Sequence, residues 1–525
     1  MPPIPAEACL ISLAPDAMDA LRLARWHGFL PDLDGLEADL RDLQPAGAAP
    51  PRRLCAGSVV PDTLVATLDD RARDALRCRY GAALRIEPDV ILSYQAGPMG
   101  TRGEAGAAVE TAAPVSPEGT AVLHFRVMDE EGVPIAGVRL RAEGAGGRPI
   151  APATTDTDGN ALLNLETENP AAVRRLSVLP PAGFWGRRLL RPVLRQTVPG
   201  APPRLNALVL KPLCAPFGCL PEWGIEAMGL DRAPLLTVPG AAPVRVAVLD
   251  PGAAAAPFTI ATVESGALVE GWSRAGAPPS PTATVIAAAA PGARLQLLHM
   301  GLHPRASELI AAVDWCIAAG VDLLDLGFAA TEPCAALEAV LRRARTRGLV
   351  VIAPAGDSGG AVLHPAAGPS ALAVGAMVKP GACPADAPGA ADAATAPMST
   401  LAEFSAGGVA LDLVAPGAGI VLLTPVGPVA LDGTALAAGF VTGFLARLLQ
   451  AEPDLAGMAR GAVRAAALLA ALRARCRDPG LPAGAGGAGM PVWDPLPLLR
   501  AATDPCPVGA EPARRRRPVG AGLLA

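Results

Sequence analysis

Val244-Arg-Val-Ala-Val-Leu-Asp250 is an apolar run, broken by one arginine, that ends in a carboxylate. A half-buried strand alternates polar and apolar residues; a nearly continuous run reads as a strand covered on both faces. Similar runs follow: Leu295-Gln-Leu-Leu-His299, Val321-Asp-Leu-Leu-Asp-Leu326, Leu349-Val-Val-Ile-Ala353 and Ala371-Leu-Ala-Val-Gly375. Helical stretches separate some of them. One spans 307–319 and places Ile310, Val313 and Ile317 on a common face. Buried strands alternating with helices predict an α/β fold with a parallel sheet and helices on both faces. Ligands of such sheets sit beyond the carboxyl ends of the strands, where Asp250, Asp325 and Asp357 fall.

Upstream the pattern differs. Residues 1–98 carry helical periodicity and one strand–helix–strand stretch, read as a small α+β domain. Thr63–Leu68 reads as a strand, and Asp69 or Asp70 caps the helix that follows. Gly81 stops that helix, and 84–92 returns as a strand that Pro88 places at an edge. Residues 93–118 are rich in Gly, Ala and Pro and read as linker, with 99–118 outside any domain. Residues 119–212 hold short alternating runs separated by turns such as Glu131-Gly132 and Asp158-Gly159, the pattern of a small antiparallel β-sandwich. Thr155-Asp-Thr-Asp-Gly159 lacks the third alternating ligand and the distal glutamate of a calcium loop and reads as a turn. The α/β core is expected at 213–455 and a C-terminal helix at 456–477, covering about 458–475. A Gly/Pro-rich, basic tail follows at 478–525, within which 484–489 is linker-like.

Composition sets the outer limits. The chain has 525 residues and 52.9 kDa, with Gly 57 and Pro 57. A hydrophobic share of 51% excludes a wholly disordered chain, and no Gly-X-Y period supports a collagen. Net charge of −5 is a poor match for nucleic acid, and no uninterrupted apolar stretch reaches the roughly 18 residues of a spanning helix. The N-terminus lacks the basic start and apolar core of a signal peptide, so the expectation is cytoplasmic, with no membrane partner. The ten cysteines have no zinc spacing; Cys214 and Cys219 form the one close pair and are compatible with a bridge or with free thiols. No metal and no cofactor are expected. The basic run 514–517 reads as a solvated tail.

The α/β region resembles the subtilisin-like serine peptidases, the subtilases, over roughly 220–450. The landmarks occur in order. Trp223-Gly-Ile-Glu-Ala-Met228 resembles the entry segment, and Val246-Ala-Val-Leu-Asp250-Pro-Gly252 the strand that ends in the triad aspartate. Ala290-Pro-Gly-Ala293 resembles the segment after the histidine helix. Val350-Val-Ile-Ala-Pro-Ala-Gly-Asp357 resembles the strand and turn of the oxyanion-hole asparagine, and Val414-Ala-Pro-Gly417 is a further landmark. Asp432-Gly-Thr-Ala435-Leu-Ala-Ala-Gly-Phe-Val resembles the Gly-Thr-Ser turn and buried helix of the nucleophile. Residues 59–92 resemble the family's inhibitor-type prodomain, and 119–212 resembles carboxypeptidase-regulatory-like domains.

The resemblance implies a subtilisin-like three-layer fold and assigns Asp250 to the aspartate position, Ser280 to the histidine position, Ala435 to the serine position and Asp357 to the oxyanion position. It implies that Gly327, Phe328 and Ala329 line the substrate groove. Triad chemistry needs a nucleophile, a base beside it and a carboxylate that orients the base. No histidine lies between Asp250 and His299, and Ala435 has no lone pair. Without an imidazole, Asp250 reads as a strand-end hydrogen-bond acceptor, with Ser280 and Thr282 as candidate partners. Asp357 reads as a residue of the solvated turn 356–360, and His299 and His303, which flank a strand exit, as surface loop residues, with a groove rim as the alternative. The expected function is a pseudopeptidase that serves as a peptide- or protein-binding or regulatory scaffold, with 1–98 docking on the core as one expected contact. The alternatives are an active serine-type endopeptidase with non-standard residues, and a structural protein that acts through its β-sandwich.

Overall fold

A computed structural model describes residues 7–13, 33–54, 63–81, 84–98, 122–144, 149–165, 170–197, 202–213, 222–233, 243–251, 259–264, 281–384, 386–387, 399–424, 427–482 and 484–493. The 99–118 linker, Ser280, Cys214, Cys219 and the 514–517 run lie outside the described residues.

The core is a twisted sheet of eight strands. Its principal elements, in chain order, are β1 (Arg245–Asp250), β2 (Thr259–Glu264), α1 (Pro281–Ala289), β3 (Arg294–His299), α2 (Ala306–Ala318) and β4 (Leu323–Asp325). After these come α3 (Ala335–Thr346), β5 (Val350–Pro354), β6 (Leu372–Val378), β7 (Leu413–Pro416), α4 (Thr434–Ala451) and α5 (Ala462–Ala474). The strand order is β2-β3-β1-β4-β5-β6, and β6 also pairs with β7 and with Thr400–Leu401. Pairs among β3, β1, β4, β5, β6 and β7 are parallel; β2 and Thr400–Leu401 are the antiparallel margins. Every residue of β5, β6 and β7 is buried, as the apolar runs predict for strands covered on both faces.

Helices α1 and α4 pack on one another and against the sheet, while α2 packs on α3. Small residues set the α1–α4 distance. A Cβ at Gly443 would lie 2.4 Å from the Ala289 Cβ, so only glycine admits that approach. Helix α4 is long and apolar enough to cross a membrane by length and composition alone, but 94% of it is buried inside the protein. It is the central core helix.

The N-terminal unit has its own apolar cluster, which includes Ile11, Leu36, Leu64 and Leu76. Its sheet order is Arg52–Arg53, Thr63–Leu68, Glu7–Leu13, Leu84–Pro88, so the last strand is an edge, as Pro88 predicts. The Asp69 side chain caps the helix Asp70–Tyr80 by accepting from the Ala72 N–H at 2.8 Å, and Gly81 ends it. The central strand Glu7–Leu13 is absent from the sequence reading. Alternation along it sends Cys9 and Ile11 into the local cluster and Leu10 into the main α/β core. Two carboxylates fasten this unit to the core at helix N-termini. Glu87 accepts from the Ala335 and Ala336 amides of α3 at 2.9 and 2.7 Å, and Asp89 from the Ser307 amide of α2 at 2.9 Å.

Residues 122–210 form two sheets around a common cluster that includes Leu123, Phe125, Leu140 and Val178. One has three strands and the other four, and Leu205–Leu210 pairs parallel to Val122–Asp129. At 155–159 the Asp156 carboxylate accepts from the Asp158 and Asn160 amides at 3.0 and 2.8 Å, which spends it on the turn. The helix expected at about 458–475 is Ala462–Ala474, which starts after Gly461, and a separate short helix, Pro453–Gly457, precedes it. Residues 484–489, read as linker-like, dock on the core together with 490–493. The Ala488 amide donates to the Asp412 carbonyl at 2.7 Å, and the Gly487 Cα sits where a Cβ would be 2.3 Å from that carbonyl oxygen. Trp493 packs edge-on against Phe444 at 5.7 Å.

Candidate active site

Parallel strands β1 and β3 end level with one another, so their last residues, Asp250 and His299, are register partners. The His299 Nδ1 lies 3.5 Å from the Asp250 Oδ2, with side chains 21% and 2% exposed. His299 is therefore not a rim loop residue, and Asp250 does have an imidazole neighbour. The sequence reading missed it by searching only the helix that carries the base in the family. The signal was available in two neighbouring strand runs, each closed by a polar residue. At 3.5 Å this is an ion-pair contact more than a formed hydrogen bond. The Asp250 carboxylate raises the His299 pKa above 6.5, against the opposing effect of burial.

Because the folded-state value is raised, the protonated pair stabilises the fold fully below the ordinary imidazole value. That contribution is lost as pH rises through the folded-state value. NMR titration of His299 is expected to give a midpoint above 6.5, and Asp250→Asn to move it down; an unchanged midpoint in the variant contradicts the pairing.

An imidazole and a carboxylate are two of the groups that triad chemistry uses. Ala435, the second residue of α4, is fully buried and presents a methyl group. Ser280 lies outside the described residues, just before α1. The nearest described hydroxyl of α1, Thr282 Oγ1, is 2.6 Å from the Tyr94 phenol oxygen.

Asp357 is buried at 5% exposure, which corrects the expectation of a solvated turn residue; the exposed part of that turn is 358–360. Its Oδ1 accepts from both the amide and the hydroxyl of Thr434, each at 2.8 Å. The physical reason is the N-terminus of α4, whose orphan amides attract an acceptor. A side chain expected in water is thereby drawn in as a helix cap.

The groove residues are already paired. Phe328 and Ala329 form an antiparallel bridge with Tyr94 and Ser93, and the Gln95 amide donates to the Gly327 carbonyl at 3.0 Å. From the other side the Leu92 and Tyr94 amides donate to Pro304 and Leu302 carbonyls at 2.9 and 3.3 Å. Gly97–Pro98 pairs with Leu431 and Asp432. Residues 92–98, read in part as linker, thus run extended between 327–329 on one side and 302–304 on the other, and then along 431–432. The Ala435 amide donates to the Gln95 carbonyl at 2.9 Å, so the Gln95–Ala96 peptide bond lies against the N-terminus of α4. The Asp357 amide donates to Gln95 Oε1 at 3.0 Å. Phe328 is fully buried, with its ring 5.5 Å from that of Tyr94. One signal for this strand was legible: Tyr94 is one of only two tyrosines in the sequence.

Asp325, at the end of β4, accepts from the Thr442 hydroxyl at 2.8 Å, and burial pushes its carboxyl up to about 7. Among the described residues no group of three or more His, Cys, Asp or Glu side chains is placed to hold a metal ion.

Comparison with known families matches residues 267–489 to the subtilase family model. M-protease of Shouchella clausii (strain KSM-K16) is 31% identical over 150 residues, covering 28% of this chain and 35% of that protein. Subtilisin Savinase of Lederbergia lenta is 31% identical over 150 residues, 28% of this chain and 49% of its own length. Subtilisin E of Bacillus subtilis (strain 168) is 30% identical over 153 residues, 28% of this chain and 35% of its own length. The chain thus spans between a third and a half of the curated relatives it matches. The family match starts downstream of β1, so the place of Asp250 rests on sheet register. The parallel sheet, the buried α4 behind its Gly-Thr turn and these matches agree on one point: residues 267–489 form a domain that matches the subtilase family.

Proposed function

We propose that this chain is a non-hydrolysing subtilase that serves as a binding or regulatory scaffold. The observation that carries the reading is the state of the α4 N-terminus. In a working site, free donors there face the oxygen on which charge develops, and a hydroxyl attacks the adjacent carbon. Here the Thr434 amide is spent on the Asp357 carboxyl oxygen, the Ala435 amide on the Gln95 carbonyl, and Ala435 offers no oxygen. The residue at the oxyanion position accepts where a donor belongs. His299 beside Asp250 does not rescue the chemistry, because a base without a nucleophile to deprotonate forms no acyl intermediate.

The test is turnover. The purified full chain, incubated with a broad set of fluorogenic peptides, is expected to release no fluorophore above a heat-denatured control. A rate that scales with protein concentration and is abolished by a serine-directed inhibitor overturns the reading.

A further inference from the structure

We propose that the cleft between α3 and α5, at the opposite end of the sheet from Asp250 and Asp357, binds a long-chain carboxylate. The acyl chain lies on an apolar floor, and arginines on the two walls hold the head group. The inference is independent of whether the chain hydrolyses peptides.

The cleft follows from the topology. Strands β5 and β6 are parallel neighbours, so their amino ends open on one side of the sheet, while Asp357 follows the carboxyl end of β5. Helices α3 and α5 flank those amino ends, and about 800 Å³ lies between them. That volume falls within the range of small-molecule sites. Leu349, Val350 and Leu372 line it and belong to the main apolar cluster, and α5 adds Ala465 and Leu469.

Backbone polar groups along the floor are already used. The Leu349 and Val350 amides donate to the Ala344 and Asp322 carbonyls at 3.0 and 3.1 Å, and the Ala373 amide to Asp412 Oδ2 at 2.9 Å. A peptide laid there would bury its own N–H and C=O groups without partners, at a cost in free energy. An acyl chain has no such groups, which favours it as the occupant.

Charge sets the head group. Three guanidinium groups line the cleft, Arg342 and Arg345 from α3 and Arg473 from α5, against one carboxylate among the described lining residues, Asp412. Asp412 is spent on the Ala373 amide and lies 3.9 Å from Arg473. Arg345 gives one of its five donors to the Pro369 carbonyl at 2.8 Å, and Arg342 has no hydrogen bond or ion pair among the described residues. Arg342 and Arg345 stand three positions apart, on one side of α3. Guanidinium and carboxylate pair through two parallel N–H···O bonds, so this excess of positive charge fits a carboxylate head.

Isothermal titration calorimetry of the intact full chain with dodecanoate, below its micelle concentration, tests the proposal. One saturable site per chain is expected, at least about tenfold tighter than for dodecyltrimethylammonium, which carries the same chain and the opposite charge. Hydrogen exchange is expected to place new protection at 342–351 and 465–473. Arg342 and Arg345 are exposed, so the double variant Arg342→Gln, Arg345→Gln keeps the fold. It is expected to weaken dodecanoate at least about tenfold and to leave dodecyltrimethylammonium unchanged. The absence of saturable binding, equal affinity for the two amphiphiles, or protection confined to other segments overturns the proposal, and so does unchanged dodecanoate affinity in the double variant. The comparison of head groups needs no variant, and none of these outcomes bears on peptide turnover.

Discussion

Placing the family's residues at the three positions together, with Ser280→His, Asp357→Asn and Ala435→Ser, is expected, on the proposed reading, to make the chain cut itself between Gln95 and Ala96. That carbonyl already accepts the residue-435 amide at 2.9 Å, and the strand around it is pinned from both edges. A hydroxyl introduced at 435 would therefore attack a bond held in place, and well-oriented intramolecular reactions reach effective molarities of about 10⁵–10⁸ M. Loss of nucleophile or base costs about six orders of magnitude in turnover, a figure that comes from subtilisin itself, so the contrast with the unaltered chain should be plain. The expected products are fragments 1–95 and 96–525, appearing together on intact-mass analysis and still associated under native conditions. Turnover of added peptides is expected to stay low, because the severed strand remains paired. Cleavage elsewhere, or a folded variant that stays whole, would contradict the position assigned to the Gln95–Ala96 bond. Ala435→Ser alone is expected to cut far more slowly, since Asp357 still accepts where a donor belongs.

Tyr94→Ala is expected to cost about 3–5 kcal/mol in the unfolding transition of the α/β core, the usual range for deleting a large buried ring. The residue is 7% exposed, its ring is enclosed by the groove, and it faces Phe328. Tyr94→Phe keeps the ring and removes only the bond to Thr282, for an expected loss of about 1 kcal/mol. Denaturant unfolding, followed by a probe in the core, measures both. Equal losses in the two variants would show that the hydroxyl, and not the packed ring, holds the strand. A Tyr94→Ala loss under about 1 kcal/mol would mean that the ring is dispensable to the core.

The α/β core was legible because its signal is local. Runs such as 349–353 announce a doubly covered strand by composition alone, and the carboxyl-end rule puts Asp250 and Asp325 where they stand. What the sequence hid was non-local. His299 meets Asp250 only through the register of two strands roughly fifty residues apart, which no window along the chain reports. Asp357 reads as a turn residue because Gly and Ser surround it; its burial is imposed by the N-terminus of α4, far downstream. Residues 92–98 look like the start of a linker because small residues suit both a linker and a strand pressed between two edges. Gly433 and Ala96 are small for the second reason. The central strand Glu7–Leu13 is a short apolar run, which periodicity alone does not tell from a buried helical segment.

The account stands or falls on whether this site can form a covalent bond to a carbonyl or phosphoryl centre. Intact-mass spectrometry of the purified full chain, after prolonged incubation with a fluorophosphonate serine probe, addresses that directly. The account predicts a single species at the unmodified mass, with Gln95–Ala96 uncut. A stoichiometric adduct on the α/β domain, or accumulation of a fragment beginning at Ala96, would contradict it.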